Sequence, residues 1–558
     1  MLSSFTQAIN DSLKGYSPVQ VILGTLALPI TYALSQREWS EDLDWLQDKT
    51  YKILPKIPLL GAFVKNKLDT KFEPELDKMD KNIHSKRKMV FDTLPKKGIN
   101  EEALLRQIEK DCDSVHLGDQ MSGAIYRSGT DLDAFNAKIF AMSCYTNPLH
   151  AGAWPNIAQR EAEVLAWCSK LYNGDDTLTG TITSGGTGSI MEAMRTYKEW
   201  AKNEKGITRP NIIIPSSAHA AFEKAARTYG IKLIKVPVNA KTGQADVKAM
   251  ESKINGNTIA MVGSAPSFPT GTIDPIEALS KIALKRNIGL HVDACLGGFL
   301  IPFAKKAGYP LAPFDFSLPG VTSISMDTHK YGQAPKGSSV ILMRKHIGKY
   351  QPYVLIDSEI GMYVTPDQPG SRCGANILMA WGTLALIGED KYVQVTRDII
   401  RLRENLQKKL RRIPELTLMG TPQLSVIAFH AKDLNIYQIS HKMKEKGWHL
   451  NNIQKPAGTH LCLTAKHLED PKFADRFIND LTECVKSVKA NPQEKLEGDG
   501  ATYATMAQIP AALSRPLKEE MGREFTYLSS RVRATRGVRE EQTKINPSAA
   551  SRPLPLRK

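Results

Sequence analysis

The sequence predicts an α/β protein whose larger domain is a doubly wound, mostly parallel sheet. Between residues 147 and 343, short apolar runs of strand length alternate with longer stretches of helical spacing, the pattern that successive βαβ units produce. Polar and small residues follow several of these runs, where open α/β sheets place their ligands. The predicted strands, in chain order, are NIIIPSS, IKLIKVPV, TIAMVGSA, IGLHVDACLGG, SISMD and SSVILMRK.

Two helices and a second domain complete the predicted architecture. Helical spacing covers residues 158–172 and 187–202, on either side of a glycine-rich turn. Near residue 375 the pattern changes to a long amphipathic helix at 392–412, followed by the strand-like runs LSVIAFHA and HLCLTA with a helix between them. We therefore assign 147–375 to a large domain and 376–490 to a smaller α+β domain. The polar residues 491–558 lack periodicity, which is typical of a mobile tail.

Length and composition exclude several classes of protein. With 558 residues, 42% hydrophobic and 24% charged, the chain can bury a large core in two or three domains. Its formal charge of +16 would suit an anionic partner, but no helix-turn-helix, RRM or zinc-finger spacing organises the basic residues. The seven cysteines include no pair two residues apart, which favours reduced thiols in the cytosol. We expect no nucleic-acid partner and no metal.

The N-terminal residues 1–60 form a hydrophobic and basic segment. Val19–Leu34 contains no charged residue, but its 16 positions fall short of the ~20 that span a bilayer. A membrane anchor and a hydrophobic helix packed on the protein itself are both compatible with this run. The stretch KILPKIPLLGAFVKNKLDTKF is basic and apolar, as interfacial segments are. It supports the membrane anchor.

The stretch TSGGTGS, beginning at Thr183, has the form of a phosphate cradle. Gly185 and Gly186 allow an anion to approach the backbone closely, and the helix predicted from Thr187 offers free N–H groups at its N-terminus. A capped turn without a ligand would have the same composition. The stretch is not a P-loop, because no Gly-Lys-Ser/Thr triplet follows.

Three further side chains follow predicted strands. Asp293 ends IGLHVD, where a buried carboxylate requires a cationic partner; a protonated pyridine nitrogen, a lysine or arginine, or a helix cap would each serve. His219 follows NIIIPSS and can stack on an aromatic ring or simply begin a helix. Lys330 follows SISMD, and an amine among buried residues can have a lowered pKa and attack an aldehyde. The glycine-rich turn, His219, Asp293 and Lys330 together predict a pyridoxal phosphate site.

Five motifs resemble those of the sphingosine-1-phosphate lyase family, which are pyridoxal phosphate enzymes of fold type I related to the group II amino acid decarboxylases. They are TNPLHAGAWPNI, TSGGTGSI, SAHAAFEKAA, HVDACLGGFL and SMDTHKYGQAPKGSS, of which the last two are highly specific. The resemblance covers about residues 110–490. It implies a transferase-like fold with a mostly parallel seven-stranded sheet. It also implies an obligate homodimer with composite sites, wrapped by a helical segment at 61–146.

The resemblance assigns roles to the residues of the site. Lys330 carries the cofactor as a Schiff base, Asp293 pairs with the pyridine nitrogen, and His219 stacks over the ring. The implied contacts to the cofactor phosphate are Gly185, Gly186, Thr187 and His329, with Ser371 supplied by the partner subunit. The implied substrate contacts are Tyr126, Asn147, His150, Lys336 and Arg372, of which Tyr126 and Lys336 also count as catalytic. The family motif continues Gly-Thr-Glu, whereas Gly188 follows Thr187 here, a departure that affects the geometry of the cradle.

The implied activity is cleavage of the C2–C3 bond of phosphorylated sphingoid bases such as sphingosine-1-phosphate, giving a long-chain aldehyde and phosphoethanolamine. Lys330, Tyr126, His150 and a phosphate oxygen remain alternatives for the acid and the base. A group II amino acid decarboxylase is the alternative function, and it would need a carboxylate site. Eukaryotic members of the family carry an N-terminal membrane segment. We therefore expect membrane association with the catalytic domain in the cytosol, at the endoplasmic reticulum in a eukaryotic cell.

Overall fold

The computed structural model describes residues 94–95, 97–113, 118–359 and 361–494. Helix α1 belongs to a different unit from residues 117–503 and is described by itself: it carries acidic residues in its first turn and Lys110 in its last, which complements the helix dipole. The apolar run Val19–Leu34, the basic stretch after it and the tail from residue 495 lie outside the described residues. In the described part of the chain, no helix has the length and apolarity needed to cross a bilayer.

Helices and strands alternate through most of the described chain. The helices are α1 (Glu101–Asp113), α2 (Asp131–Ser143), α3 (Pro155–Leu171), α4 (Gly186–Lys205), α5 (Ala221–Tyr229), α6 (Val247–Ser252), α7 (Ile276–Arg286), α8 (Ile301–Ala304), α9 (Lys345–Gly348), α10 (Gly374–Leu410), α11 (Ile436–Glu445) and α12 (Phe473–Ala490). The strands are β1 (Thr179–Thr183), β2 (Asn211–Pro215), β3 (Lys232–Val236), β4 (Thr258–Ser264), β5 (Gly289–Asp293), β6 (Ser323–Met326), β7 (Ser339–Met343), β8 (Tyr353–Leu355), β9 (Tyr363–Thr365), β10 (Leu416–Met419), β11 (Val426–Ala431), β12 (Asn451–Gln454) and β13 (Ala457–Cys462).

Seven strands form the main sheet in the order β1-β7-β6-β5-β4-β2-β3. The pairs β2/β3, β2/β4, β4/β5 and β5/β6 are parallel, whereas β7 is antiparallel to both of its neighbours. This confirms the predicted α/β class with a mostly parallel seven-stranded sheet. All six strands predicted for this domain are present, and the two predicted helices are α3 and α4.

The sheet is buried because helices cover it. Every residue of β2, β4, β5, β6 and β7 is buried, as the near-continuous apolar runs of these strands require. Helix α4 packs on β1, β4, β5, β6 and β7 through Ile190, Met194 and Tyr197, which belong to one hydrophobic cluster with Ile212 and Ile259. Burying each such apolar side chain stabilises the fold by roughly 1.5–3 kcal/mol. The N-terminus of α4 is thereby held against the centre of the sheet.

The direction of the strands collects polar loops at one edge of the sheet. Strands β2, β4, β5 and β6 run parallel to one another, and β1 shares their direction because both it and β6 are antiparallel to β7. Their carboxyl ends therefore lie at the same edge. The segments that follow β1, β2, β5 and β6 carry the glycine-rich turn, His219, Asp293 and Lys330, so the fold brings the predicted site together.

The C-terminal part of the unit contains a second sheet. Strands β10, β11, β13 and β12 form a four-stranded antiparallel sheet. Helix α11 packs on this sheet, and helix α12 packs against α11. This confirms the smaller α+β region, while its limits at 376 and 490 stay a prediction. The long helix begins at Gly374 rather than Tyr392 and is interrupted at Gly388, whose φ is 69°. Its first half, GANILMAWGTLALI, is too uniformly apolar to show an amphipathic period.

Candidate active site

One cavity of about 440 Å³ lies at the carboxyl edge of the main sheet. Seven residues that the sequence predicted for the site line it: Gly185, Gly186, Thr187, His219, Asp293, His329 and Lys330. Four separate loops contribute them, so their convergence depends on the order and direction of the strands. The fold therefore brings seven of the eight predicted cofactor-binding residues together within one chain, and Ser371 is the exception.

The glycine-rich turn begins helix α4. Gly185 has a φ of 154°, a conformation that side chains disfavour. A Cβ on Gly186 would lie 2.8 Å and 2.9 Å from the two carboxylate oxygens of Asp327, so only glycine fits there. The first N–H groups of a helix of 20 residues face the cavity at this turn, and such a terminus binds anions. The turn is thus built as a phosphate cradle.

Gly188, which departs from the family motif, lies in the first turn of α4. A Cβ at this position would be 3.3 Å from both Cβ and Oγ1 of Thr183 and 3.4 Å from Oγ of Ser184. These contacts are close, so glycine suits the packing of this chain. Although position 188 is glycine here and glutamate in the family motif, helix α4 still begins at Gly186 with free N–H groups in its first turn.

Asp293 ends β5 with its carboxylate buried at the cavity. The backbone N–H of Cys295 donates a hydrogen bond to Oδ1 over 3.1 Å. Among the described residues no lysine or arginine side chain forms an ion pair with Asp293. A buried carboxylate in this position favours a cationic ligand, which is the property that a protonated pyridine nitrogen provides.

Lys330 forms an ion pair with Asp327, a residue that the sequence analysis did not assign. Lys330 Nζ lies 2.8 Å from Asp327 Oδ2. Burial is the largest single influence and lowers the pKa of Lys330, but the contributions that raise it, of which the negative charge of Asp327 is the largest, together leave that pKa above its usual value. The expectation of a lowered lysine pKa is therefore wrong for the chain without cofactor. Burial would raise the pKa of the Asp327 carboxyl, but the Lys330 ammonium holds it below its usual value.

The two histidines of the cavity occupy different positions. His219 lies exposed before α5, and its Nδ1 accepts a hydrogen bond from Ala221 N over 3.2 Å. His329 Nε2 lies 3.6 Å from Asp327 Oδ2, and its Nδ1 accepts from Ser338 N over 3.4 Å. Burial lowers the pKa of His329, so this side chain is neutral near pH 7. It can offer one N–H to an anion in the cradle.

Tyr126 and Lys336 flank the lysine loop. Lys336 Nζ lies 4.9 Å from the centre of the Tyr126 ring, and burial together with the charge of Lys330 lowers the pKa of Lys336. Burial raises the pKa of the Tyr126 phenol, although the positive charge of Lys330 opposes the shift. Tyr126 is therefore a neutral phenol that can donate a proton, and it is not a phenolate base.

The remaining predicted residues form a second cluster that does not line the cavity of this chain. Asn147 Nδ2 donates to Ser371 Oγ over 2.9 Å, and Arg372 N donates to Asn147 Oδ1 over 3.2 Å. His150 N donates to the carbonyl oxygen of Asn147 over 3.1 Å. Asn147 is partly exposed, and the side chains of Ser371 and His150 are exposed. The structure therefore divides the predicted residues into a cavity and a separate surface cluster.

The guanidinium of Arg372 is held inside its own chain. Arg372 Nη1 and Nη2 donate to Glu161 Oε1 and Oε2 over 2.7 Å and 2.8 Å, and Nη1 also donates to the carbonyl oxygen of Ile182 over 2.9 Å. Glu161 accepts in addition from Ile182 N and Thr181 Oγ1. Sequence reasoning missed Glu161. In this chain Arg372 fixes the Ser371 segment to β1. The predicted contact between Arg372 and the substrate stays a prediction.

Comparison with known proteins agrees with the geometry of the site. A model of the pyridoxal-dependent decarboxylase conserved domain matches residues 85–432. The chain therefore belongs to the pyridoxal-dependent decarboxylase family, and its cofactor is pyridoxal phosphate.

Closer relatives narrow this assignment. The chain is 41% identical to the sphingosine-1-phosphate lyase of Arabidopsis thaliana over 80% of this chain and 83% of that protein. It shares 39% identity with sphingosine-1-phosphate lyase 1 of Rattus norvegicus over 93% of this chain and 91% of the other. The solved sphingosine-1-phosphate lyase of Burkholderia pseudomallei matches with a TM-score of 0.70 and 35% identity, over 73% of this chain and 95% of that one. Within the decarboxylase family, the chain belongs to the sphingosine-1-phosphate lyases.

The residues present fit pyridoxal phosphate. The N-terminus of α4, with Gly185 at its N-cap and Gly186 as its first residue, suits a phosphate. The buried carboxylate of Asp293, which lacks a lysine or arginine partner among the described residues, suits a protonated ring nitrogen. Lys330 at the same cavity supplies the amine that an aldehyde requires. The phosphate, the ring nitrogen and the aldehyde of the cofactor thus each have a matching group in the chain.

Proposed function

We propose that this protein cleaves the C2–C3 bond of sphingosine-1-phosphate and related phosphorylated sphingoid bases. The products are a long-chain aldehyde and phosphoethanolamine. The reaction is a retro-aldol cleavage, in which the C3 hydroxyl loses a proton, the C2–C3 bond breaks, and the former C2 takes up a proton. The relatives that carry this activity in their names cover most of the chain, which supports the substrate class.

One observation carries the proposal: Lys330, Asp293 and the cradle share one cavity, and Tyr126 and Lys336 flank the lysine. When bound, pyridoxal phosphate supplies an electron sink for the pair that remains on C2. Asp293 would hold the proton of the ring nitrogen, and the N-terminus of α4 would bind the phosphate. Lys336 adds a cation beside the lysine loop, which suits a phosphorylated substrate.

Tyr126 and Lys330 are the two side chains proposed for proton transfer. Tyr126 is a neutral phenol close enough to Lys330 for the lysine charge to act on its pKa, so it can donate a hydrogen bond or a proton to an oxygen of the substrate. With the substrate amine in its place on the cofactor, Lys330 would be a free amine able to accept the hydroxyl proton. The raised pKa of Lys330 beside Asp327 favours that acceptance.

The test of the proposed reaction is incubation of the purified protein with sphingosine-1-phosphate and pyridoxal phosphate, followed by mass spectrometry. We expect equal amounts of long-chain aldehyde and phosphoethanolamine. Lys330→Ala should lose both turnover and the adduct that borohydride traps. If the wild-type protein carries the trapped adduct but releases carbon dioxide from amino acids and leaves sphingosine-1-phosphate intact, the protein is a decarboxylase.

The second cluster supports a composite site in a homodimer. Asn147, His150 and Ser371 are at least partly exposed and do not line the cavity of their own chain. The apolar side chains of Met142 and Tyr145, just before this cluster, are 78% and 93% exposed. Exposed apolar groups of this kind favour contact with another protein surface. We propose that the partner subunit covers them and that the cluster completes the partner's site.

Subunit complementation tests the composite site. Lys330→Ala lacks the lysine, and Asn147→Ala/His150→Ala lacks the cluster. In a mixed dimer one site carries both defects and the other carries none, so equal mixing should restore roughly a quarter of wild-type activity, given two-fold symmetry. Mass spectrometry of the intact dimers would establish that subunits have exchanged. Proven exchange without any restored activity would contradict the composite site.

Membrane association is proposed from the N-terminal sequence. The uncharged run Val19–Leu34 and the basic stretch Lys52–Lys71 suit an anchor with a cytosolic catalytic domain. Deleting residues 1–50 should leave a soluble enzyme that cleaves substrate in detergent but binds vesicles more weakly. Aggregation of the truncated protein, with full-length protein soluble without detergent, would instead identify the run as a packed helix.

A further inference from the structure

We propose that Asp327 is a second functional carboxylate of this site, which holds Lys330 as the ammonium ion while the site is empty of cofactor. This ion pair opposes the capture of pyridoxal phosphate by the empty site. In turnover it favours the transfer of a proton from the substrate to Lys330. The second statement rests on the proposed function, whereas the first depends only on the cofactor.

The position of Asp327 supports a role in the chemistry. Its side chain is 1% exposed, and its Oδ2 lies 2.8 Å from Lys330 Nζ. Its other oxygen, Oδ1, has no hydrogen-bond partner within the described part of the protein. A buried carboxylate with an unsatisfied oxygen destabilises a fold by about 1–3 kcal/mol or more. Stability therefore does not explain its presence, and its contact with the reactive amine does.

Two other features keep Asp327 beside the lysine. Gly186 leaves the space that both carboxylate oxygens occupy, since a Cβ there would come within 3.0 Å of each. Asp327 N also donates to the carbonyl oxygen of Cys295 over 3.3 Å, and Lys330 N donates to the carbonyl oxygen of Asp327 over 3.3 Å. The carboxylate and the amine therefore belong to one hydrogen-bonded turn after β6.

The other titratable groups around Lys330 do not replace Asp327 as its counter-ion. Burial raises the pKa of Cys295 and of Tyr126, so the thiol and the phenol are neutral near pH 7. His329 is neutral because burial lowers its pKa, and Lys336 is a cation. Asp293 faces the same cavity, but among the described residues the ion pair of Lys330 is with Asp327. Asp327 thus provides the anion that pairs with the lysine.

Atoms and protons balance in both cofactor capture and turnover. In capture, the Lys330 ammonium first loses one proton to solvent; its Nζ then forms a C=N bond to the aldehyde carbon, and the aldehyde oxygen leaves as water. In turnover, the substrate amine replaces Nζ, which leaves as a neutral amine. That amine accepts the C3 hydroxyl proton and becomes an ammonium beside Asp327. The same proton can return to the former C2, so no external acid is needed.

Cofactor capture by the full chain tests the proposal without sphingosine-1-phosphate. Protein depleted of cofactor is mixed with pyridoxal phosphate at a series of pH values, and the lysine-bound cofactor is followed by absorbance and by borohydride trapping. The wild-type rate should rise with pH across the whole range in which the protein stays folded. Asp327→Asn should capture the cofactor at least about tenfold faster near pH 7, the factor for one pKa unit, with its pH profile displaced to lower pH.

Controls separate this role from a structural one. Asp315→Asn removes another buried carboxylate, which contacts Asn173 and Ser317 and does not line the cavity, and it should keep the wild-type capture profile. Equal rates and pH profiles in wild type and Asp327→Asn would overturn the proposal. If Asp327→Asn does not fold, a wild-type capture rate that is already level near neutral pH would overturn it equally. If the protein fails to cleave sphingosine-1-phosphate but the capture experiments give the expected results, only the proposed substrate is contradicted.

Discussion

Replacing Arg372 with methionine should destabilise the folded protein by about 3 kcal/mol. The arginine is almost buried, with its side chain 12% exposed and that of Glu161 11% exposed. The substitution keeps most of the apolar volume and removes the positive charge, so the carboxylate of Glu161 loses its only ion-pair partner among the described residues. The change therefore isolates the electrostatic part of the contact.

The magnitude follows from the bonds that are lost and those that remain. Removing one partner of a buried ion pair costs about 3–5 kcal/mol. Glu161 loses two charge-assisted bonds of 2.7 Å and 2.8 Å but keeps Ile182 N at 2.8 Å and Thr181 Oγ1 at 2.9 Å. These two donors offset part of the loss, which places the expected cost at the lower end of that range. Glu161→Leu with Arg372→Met should cost less than Arg372→Met alone, because no buried charge remains.

Urea unfolding of the cofactor-depleted protein, followed by far-ultraviolet circular dichroism, measures this cost. The exposed pair Lys281 and Glu277, with side chains 75% and 52% exposed, provides the matched control, and Lys281→Met should change the free energy of unfolding by less than about 0.5 kcal/mol. A cost for Arg372→Met as small as that of the control would refute the reasoning. A double variant whose cost equals the sum of the two single costs would refute it as well.

Two further predictions concern the cradle and the pH dependence of stability. Gly186→Ala should weaken cofactor retention at least about tenfold, because its Cβ must displace the Asp327 carboxylate and overpacking costs about 1–3 kcal/mol; unchanged retention in dialysis monitored by absorbance would contradict this. Burial lowers the pKa of His460 from 6.5 to about 4, so the unfolded chain binds a proton that the folded chain excludes between these values, and stability should fall as pH drops from 6.5 towards 4. His460→Gln should make the free energy of unfolding depend less steeply on pH in that window, and an unaltered slope would show that other groups control it.

The loops at the carboxyl edge were predictable because strand order alone brings them together. Asp327, in contrast, was not predicted, although it lies in the same motif as Lys330. A carboxylate at a buried strand end requires a cation, which holds for Asp327 as it does for Asp293, and Lys330 is the nearest cation that follows Asp327 in the sequence. That partner also reverses the expected direction of the lysine pKa. Nearby charges shift the pKa of a side chain. The sequence shows which charges are nearby only when both groups lie in the same turn of the chain.

Other features depend on contacts that separate segments of the sequence form. Arg372 and Glu161 are 211 positions apart, and nothing local distinguishes either from a surface residue. The reversed direction of β7 had a usable signal, since the segment between β6 and β7 contains no helix and parallel neighbours require a longer crossover. The strands β10 and β12 are only four residues long, too short for alternation to indicate them.

The position of β1 affects how the protein can be made by the ribosome. In the main sheet β1 has one neighbour, β7, and Thr179 pairs with Met343. While the chain is being translated, residues 179–183 therefore have no strand to pair with until β7, residues 339–343, has left the exit tunnel. The phosphate cradle follows β1 directly, so a nascent chain cannot complete the cradle before nearly all of the large domain has been synthesised. Cofactor loading is then a late event, and non-local pairing of this kind slows folding and prolongs exposure of apolar strands.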